Sequence, residues 1–394
     1  MKNEILKKLN VSDAAMRLEN LKALIAQETE KPEVLPQFAN NHIHTIYSFS
    51  PYSPTAAVWF AREAGLPTAG IMDHDSISGA REFIEAGKIA GVATTIGLEC
   101  RVSVAGTPLE GRLVNNPDQK SVAYMALHGV PHTQIDFLTE TFAPLKEKRN
   151  NRNRKMVDNI NALTSAHGVE IDFDKDVVPV SQYENGGSIT ERHILYALAI
   201  KIKDVYGDDA RTLLEDKLSM KLSEKQINQL ADSSSDFYLY DLLGILKGGL
   251  VKDFYVPADE ELLHISELSA LAKKTGALFC YAYLGDVGES VTGDKAAQKF
   301  EDDYIELLFE VLKEQGVDAV TYMPSRNTKE QLARVMQLCK QYGFTEISGE
   351  DINSPRQRFI CEQLALPEYS HLIDATWNLI EREKEITLLQ GGNI

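Results

Sequence analysis

Apolar residues along this chain keep two different periods. Leu18, Leu21, Leu24 and Ile25 recur at helical spacing, with Ser12 as the candidate N-cap and Pro32 and Pro36 ending the run. This predicts a helix packed on the outside of the main domain. From residue 37 the pattern turns to strand, loop and helix, repeated. Strands are expected over 37–44, 68–72, 93–97, 122–127, 277–283, 319–322 and 346–348, with helices over 56–64, 80–90, 265–275, 304–315 and 330–342. The strands are short and apolar on both faces, as when helices cover a parallel sheet. Their alternation with helices predicts βα units. Between 145 and 261 the alternation breaks. Met156, Val157, Ile160 and Leu163 form one helical stripe there, and Gly186-Gly187 and Ser233-Ser234-Ser235 mark loops. The stretch from Pro355 to about Leu389 reads as helical. The expected organisation is an N-terminal helical segment (1–36), an α/β barrel built from 37–144 and 262–360, a helical insertion (145–261) and a C-terminal helical segment (361–394).

Composition narrows the classes. The 394 residues are 43% hydrophobic and 25% charged, as in ordinary globular proteins. A formal charge of -17 argues against a surface that coats nucleic acid, because phosphate backbones select basic faces. It leaves room for a small anionic substrate at a local cationic centre. No apolar run is long enough for a bilayer span, and Met1-Lys2-Asn3-Glu4 opens no apolar signal core. Cys100, Cys280, Cys339 and Cys361 are scattered without a CxxC pair, so reduced thiols and a cytoplasmic location are expected. The sequence carries no signal of oligomeric state.

Candidate chemistry sits at the strand ends. In His42-Ile43-His44 the two imidazoles share one face of a strand. Other strands run into Asp73-His74-Asp75, Glu99, His128 and Glu350-Asp351. In a parallel barrel the C-terminal strand ends converge on one rim. Imidazoles and carboxylates in this mixture suit Zn²⁺, Mn²⁺ or Fe²⁺, and a carboxylate such as Glu99 can bridge two ions. Taken singly, each residue has a plainer reading. A lone strand histidine is usually structural, Asp73 suits an Asx turn, and Glu99 suits a surface. The repetition at the same place in successive βα units is what points to a metal site. His167, His264 and His371 lie in polar or helical contexts and read as structural.

The motifs resemble those of the polymerase-and-histidinol-phosphatase (PHP) family of metal-dependent phosphoesterases. His42-Ile43-His44-Thr45 is similar to its His-x-His-Thr/Ser motif, Ile71-Met72-Asp73-His74-Asp75 to its Asp-His-Asp motif, and Ile96-Gly97-Leu98-Glu99 to its Gly-x-Glu motif. Leu127-His128-Gly129, Glu191-Arg192-His193-Ile194 and Ser348-Gly349-Glu350-Asp351-Ile352-Asn353 resemble the later ones, so the likeness spans about residues 38 to 360. The resemblance implies a distorted (β/α)₇ barrel and hydrolysis of a phosphoester by metal-activated water. The substrate would be a nucleotide, an oligonucleotide or a small phosphate monoester. It further implies that His42, His44, Glu99 and Asp351 hold one metal, and that Glu99 bridges to a second shared with His128 and His193. His74 would serve a further position. Asp73 and His193 are candidates for handling a proton, with Asp73 the better candidate for orienting His74 or another ligand. Arg149, Arg152, Arg154, Arg326, His132 and Asn353 are candidates for contact with the substrate.

Three departures mark this chain. Phe49 stands in a stretch where the family often carries an Asp or His, Tyr283 replaces a strand-end His, and Asn353 replaces the closing His. One or two divalent ions (Zn, Mn or Fe) are therefore expected, with the third site trimmed. Two other readings follow from the same residues. One is a degenerate barrel serving as a binding or regulatory module. The other is a metal-dependent amidohydrolase, which would usually show a bridging strand-end Lys where this chain has Glu99.

Overall fold

A computed structural model describes residues 2–286 and 299–394 of the chain. Two helices, α1 (Lys2–Leu9) and α2 (Ala14–Ala26), precede the first strand. Asp13, one residue beyond the expected Ser12, caps α2 by accepting from the Met16 N–H at 2.7 Å. Then follow β1 (Asn40–Ile43), α3 (Pro54–Glu63), β2 (Thr68–His74), α4 (Ala80–Ala90), β3 (Ala93–Ser103) and β4 (Val122–His128). The next region is helical, with α5 (Ile135–Thr164), α6 (Glu191–Tyr206), α7 (Ala210–Thr212), α8 (Glu224–Gln229) and α9 (Tyr238–Phe254). The βα pattern resumes with β5 (Leu263–His264), α10 (Ile265–Thr275), β6 (Leu278–Ala282), α11 (Ile305–Glu314), β7 (Ala319–Tyr322), α12 (Lys329–Tyr342), β8 (Thr345–Ser348) and α13 (His371–Leu389).

The sheet runs β1-β2-β3-β4-β6-β7-β8, with β5 pairing the far end of β3. A bridge between Ile43 and Ile352 nearly closes it into a barrel. The His44 N–H donates to the Ile352 carbonyl at 3.0 Å, and the Ile352 N–H to the His42 carbonyl at 3.1 Å. Most neighbours are parallel. The exception is β4, which is antiparallel to both β3 and β6. Its end therefore points away from the rim on which the parallel strands converge, contrary to the expectation for His128 and His132. The cause is the 104–121 connection, which forms turns rather than a crossover helix.

Helix α13 covers the mouth opposite the rim. Leu379 packs with Met72, Ala126, Cys280, Ala319 and Ile347 from the strands. The Glu383 carboxylate accepts from the Thr95 hydroxyl at 2.6 Å and the Ile96 N–H at 2.9 Å. Only 371–389 of the expected C-terminal helix forms as one unit. Residues 355–370 hold short 3-10 turns broken around Pro367. On the outer wall, α2 is pinned by Arg17, whose guanidinium forks onto both Glu82 oxygens at 2.8 and 2.6 Å.

The helical region has its own apolar core, formed by Met156, Val157, Ile160, Ile194, Leu198, Leu242, Leu246 and their neighbours. Phe49, from the loop after β1, belongs to this core and not to that of the barrel. The two parts thus share one cleft of 1770 Å³ at the rim.

Candidate metal centre

His42 and His44 project from β1 and the residue after it, into the barrel mouth. Residue 349, just past β8, has to come very close to them. A Cβ on Gly349 would lie 2.7 Å from both the His42 Cβ and the His42 backbone nitrogen. Only glycine lets the β8 end approach the His42 backbone so closely. Two residues on, Asp351 reaches the site, its Oδ1 lying 3.1 Å from His44 Nε2. From β2 comes His74, and from β3 the partner in register with it, Glu99.

One oxygen gathers the imidazoles. Glu99 Oε2 lies 3.2 Å from His74 Nδ1, 3.6 Å from His42 Nε2 and 4.0 Å from His44 Nε2. The His44 and His74 rings stack at 4.6 Å, and His42 meets His44 edge-on at 5.1 Å. The donor atoms form two overlapping sets, His42/His44/Asp351 and His44/His74/Glu99, each with all atoms within 4.8 Å of one another.

The electrostatics suit a cation. Burial pushes the His74 imidazole down to about 3, only partly countered by Glu99. Burial by itself would raise the Glu99 carboxyl, but His74 and His42 outweigh it and hold Glu99 down at about 2. Burial is likewise outweighed at Asp351, where the hydrogen bond and charge of His44 keep the carboxyl well below its usual range. Both carboxylates are therefore ionised beside a neutral His74, which is the protonation state that metal ligation requires. Nitrogen and oxygen donors in this mixture fit a divalent ion of the Zn, Mn or Fe type.

The remaining predicted residues divide. His128 sits inside the barrel one layer beneath Glu99, since Ala126 pairs with Glu99 and side chains alternate along β4. Its Nε2 is buried and has no hydrogen-bond partner. Burial and then the neighbouring His42 push its imidazole down to about 3. An orphaned donor-acceptor atom at that place fits a further ligand. His193 lies at the start of α6, where its Nδ1 accepts from the Thr190 N–H at 3.0 Å, and its ring packs edge-on against Phe49. It belongs to neither donor set. Asp73 is saturated by the loop after β1. Its Oδ1 accepts from the Thr45 N–H at 2.7 Å and the Ser48 hydroxyl at 2.6 Å, and its Oδ2 from the Thr45 hydroxyl at 2.6 Å. It acts on that loop and not on His74.

Among the substrate candidates, Asn353 and Arg326 line the cleft. Asn353 donates from Nδ2 to Asp351 Oδ1 at 2.7 Å, and Arg326 donates from Nε to the Leu284 carbonyl at 3.0 Å. His132 is misplaced by the expectation. It lies at the closed end of the barrel, paired with Glu383 at 3.0 Å, because β4 runs downward. Arg154 lies on the outer surface of α5, forked onto Asp174. Arg149 and Arg152 face inward on the same helix. Arg149 pairs with Asp75, and Arg152 pairs with Glu191 at 2.8 Å.

The other two departures serve packing and hydrogen bonding. Phe49, at a φ of 151° that non-glycine residues rarely adopt, buries its ring against His193, Tyr196 and Tyr240. The Tyr283 hydroxyl donates to Asp302 at 2.5 Å. Three wall residues escaped sequence reasoning: Tyr124, whose ring lies 5.6 Å from His74, and Arg192 and Lys247, both of which face the recess beside His44 and His74. Arg192 neighbours His193 in the sequence, but its direction depends on the start of α6. Nothing marked Lys247.

The sequence profile of the PHP domain matches residues 40–318. No curated protein matches the chain by sequence. Among solved structures, the chain is similar to one from Bifidobacterium adolescentis named a "putative metal-dependent phosphoesterase", at 18% identity and a TM-score of 0.56, covering 90% of this chain and 98% of that one. It is also similar to a Chromobacterium violaceum structure named an amidohydrolase and determined with bound sulfate and no metal, at 16% identity and a TM-score of 0.54, covering 86% and 96%. Such identities speak for the fold alone, which the three chains share over most of their lengths. The match of the profile to well over half of the residues, with the His-x-His, Asp-His-Asp and Gly-x-Glu motifs inside it, places the chain in the PHP domain family.

Proposed function

We propose that this protein is a metal-dependent hydrolase of phosphoesters, working at the rim cluster. The observation that carries the reading is Glu99 Oε2, set among three imidazoles that include one shared by both donor sets. In this reading His42, His44, His74, Glu99 and Asp351 hold one or two divalent ions, and His128 completes the set from below. Ions bound there acidify water and neutralise charge on a phosphoryl group. The chain's own contribution is positional. Glu99 and Asp351 supply the balancing negative charge. Arg192, Arg326 and Lys247 line the walls where a phosphate would lie, and Arg suits its oxygens by its planar fork. Asn353, which also lines the wall, orients Asp351 through its amide. The substrate's leaving group has the 1770 Å³ cleft to occupy.

Metal analysis of the purified protein, with turnover of an aryl phosphate in added Mn²⁺, tests the reading. We expect bound divalent metal and turnover, with Glu99→Ala losing metal and at least about 100-fold in rate, more than a supporting residue would cost. A protein without metal or turnover would overturn it. Running an aryl amide in parallel separates the amidohydrolase alternative. The oxygen that gathers the three imidazoles belongs to Glu99 and not to a Lys, so we expect the amide to be spared.

A further inference from the structure

We propose that Tyr124 is a catalytic residue whose hydroxyl donates a hydrogen bond to the leaving-group oxygen of the phosphoester. The inference rests on the reading of the rim cluster as a phosphoester hydrolase. Two cavities meet at the metal centre. One is the open cleft of 1770 Å³. The other is a recess of about 70 Å³ beside His44 and His74, walled partly by the insertion. The recess has room for a few waters or one phosphoryl group, so a larger leaving group stays in the cleft. The bond that breaks then lies where the two cavities join. Tyr124 lines both, together with His74, Arg192, Lys247 and Asn353. His74 is a candidate ligand, and Asn353 donates to Asp351 at 2.7 Å. Arg192 and Lys247 carry full charges, which suit the phosphoryl oxygens. That leaves Tyr124 as the neutral donor for the leaving oxygen.

The fold holds Tyr124 at this junction. Ala126 pairs with Glu99 and β4 runs downward, so Tyr124 stands one layer above the carboxylate. Its half-buried ring lies 5.6 Å from that of His74. Asn115 grips its backbone on both sides. The Tyr124 N–H donates to Asn115 Oδ1 at 2.7 Å, and Asn115 Nδ2 donates to the Tyr124 carbonyl at 2.8 Å. The same Nδ2 donates to the Ala282 carbonyl at 2.6 Å, which ties β4 to β6 at the rim. Among the described residues none accepts the hydroxyl hydrogen, which is open to a ligand. A phenol, with a pKa of about 10, is a donor at neutral pH. As water attacks phosphorus, one P–O bond forms and the P–O bond to the leaving group breaks, its electron pair moving onto the leaving oxygen. Tyr124 keeps its proton and steadies that growing charge, and solvent supplies the proton that the released oxygen takes up. A donor aimed at charge that develops in the transition state typically contributes about 100-fold in rate.

The full chain, loaded with Mn²⁺, is assayed with phenyl phosphate and with 2,4-dinitrophenyl phosphate, whose leaving oxygen bears charge without help. Tyr124→Phe keeps the ring against His74, so metal content and melting temperature should match the wild type. We expect it to lose about 100-fold in kcat/KM on phenyl phosphate and little on the dinitrophenyl ester. Calorimetry with phenylphosphonate, which has carbon in place of the leaving oxygen, should give one affinity for both proteins. Equal losses on the two esters, or none, overturn the proposal, because a structural role would not depend on the leaving group. A weaker phenylphosphonate affinity in Tyr124→Phe also overturns it, by placing the hydroxyl on the phosphoryl oxygens. Should Tyr124→Phe fail to fold, 3-fluorotyrosine takes the place of Tyr124 in mildly acidic buffer. As a stronger donor it should speed phenyl phosphate relative to the dinitrophenyl ester, and an unchanged ratio overturns the proposal. A wild type that turns over neither ester overturns the hydrolase reading, and the role of Tyr124 with it.

Discussion

Single residues decide how closely the strand ends can meet. Gly349 is the sharpest case, because its missing Cβ is what lets β8 lie against the His42 backbone. Gly349→Ala should force the two apart, costing about 1–3 kcal/mol of stability by overpacking and weakening metal binding. Gly343, left-handed but with nothing near its Cβ, serves as the control. Gly343→Ala should cost about 1–2 kcal/mol through backbone conformation alone and leave metal affinity unchanged. Thermal melts and a metal titration on both variants check this. Equal metal affinity in the two would mean that the close approach of Gly349 does not shape the site. At the same scale, the histidines and carboxylates were legible because they repeat at strand ends. The arginines were not. Arg149 and Arg152, three apart, share the inward face of α5, while Arg154 points out. A run of charges shows that a helix has polar residues on it, but its phase against the barrel is a tertiary fact.

Elements carry the next lesson. Helices α4 and α10 and strand β7 lie where hydrophobic period and turn residues placed them. The direction of β4 did not follow from its composition, and the rim position expected of two residues changed with it. His132 went to the closed end, and His128 became an interior residue beneath the rim. A signal existed: the 104–121 stretch lacks helical periodicity, and a parallel neighbour needs a crossover. The N-terminal helices show how an added element is secured. Arg17 is 1% exposed and forks onto Glu82, whose Oε1 also accepts from the Thr55 hydroxyl at 2.6 Å. Removing one partner of a buried pair strands the other, at about 3–5 kcal/mol. Arg17→Met should therefore destabilise the protein by about that much in a denaturant titration, while metal content per folded chain stays at the wild-type value. A neutral substitution would show that the ion pair does not hold α2 to the wall.

At the scale of the whole molecule, the barrel and the insertion have separate apolar cores, yet the insertion touches both ligand-bearing loops. The Ser188 N–H donates to the Tyr47 carbonyl at 2.7 Å, and the Ser188 hydroxyl to the His74 carbonyl at 2.6 Å. The Thr190 hydroxyl reaches the Ser48 carbonyl at 3.3 Å, and Phe49 anchors in the insertion's core. Metal held by His44 and His74 should therefore order the insertion's 186–190 loop as well as the site. Local opening free energies differ across a fold, and a ligand that binds only the closed form raises those of every segment that must open with it. At a free metal concentration 100 times the dissociation constant this stabilisation is about 2.7 kcal/mol. Amide hydrogen exchange before and after chelation measures it. Protection should fall by up to about 100-fold over 44–49, 74–76 and 186–190. It should stay constant in α13, which faces the closed end and touches none of these loops. If 186–190 kept its protection while 44–49 lost it, the insertion would be a neighbour of the site and not part of its frame. If both fell together, the helical region would count as half of the metal centre's support, and its sequence, which offers one ligand candidate in His193, would owe its place in the chain to Ser188, Thr190 and the hold on Phe49.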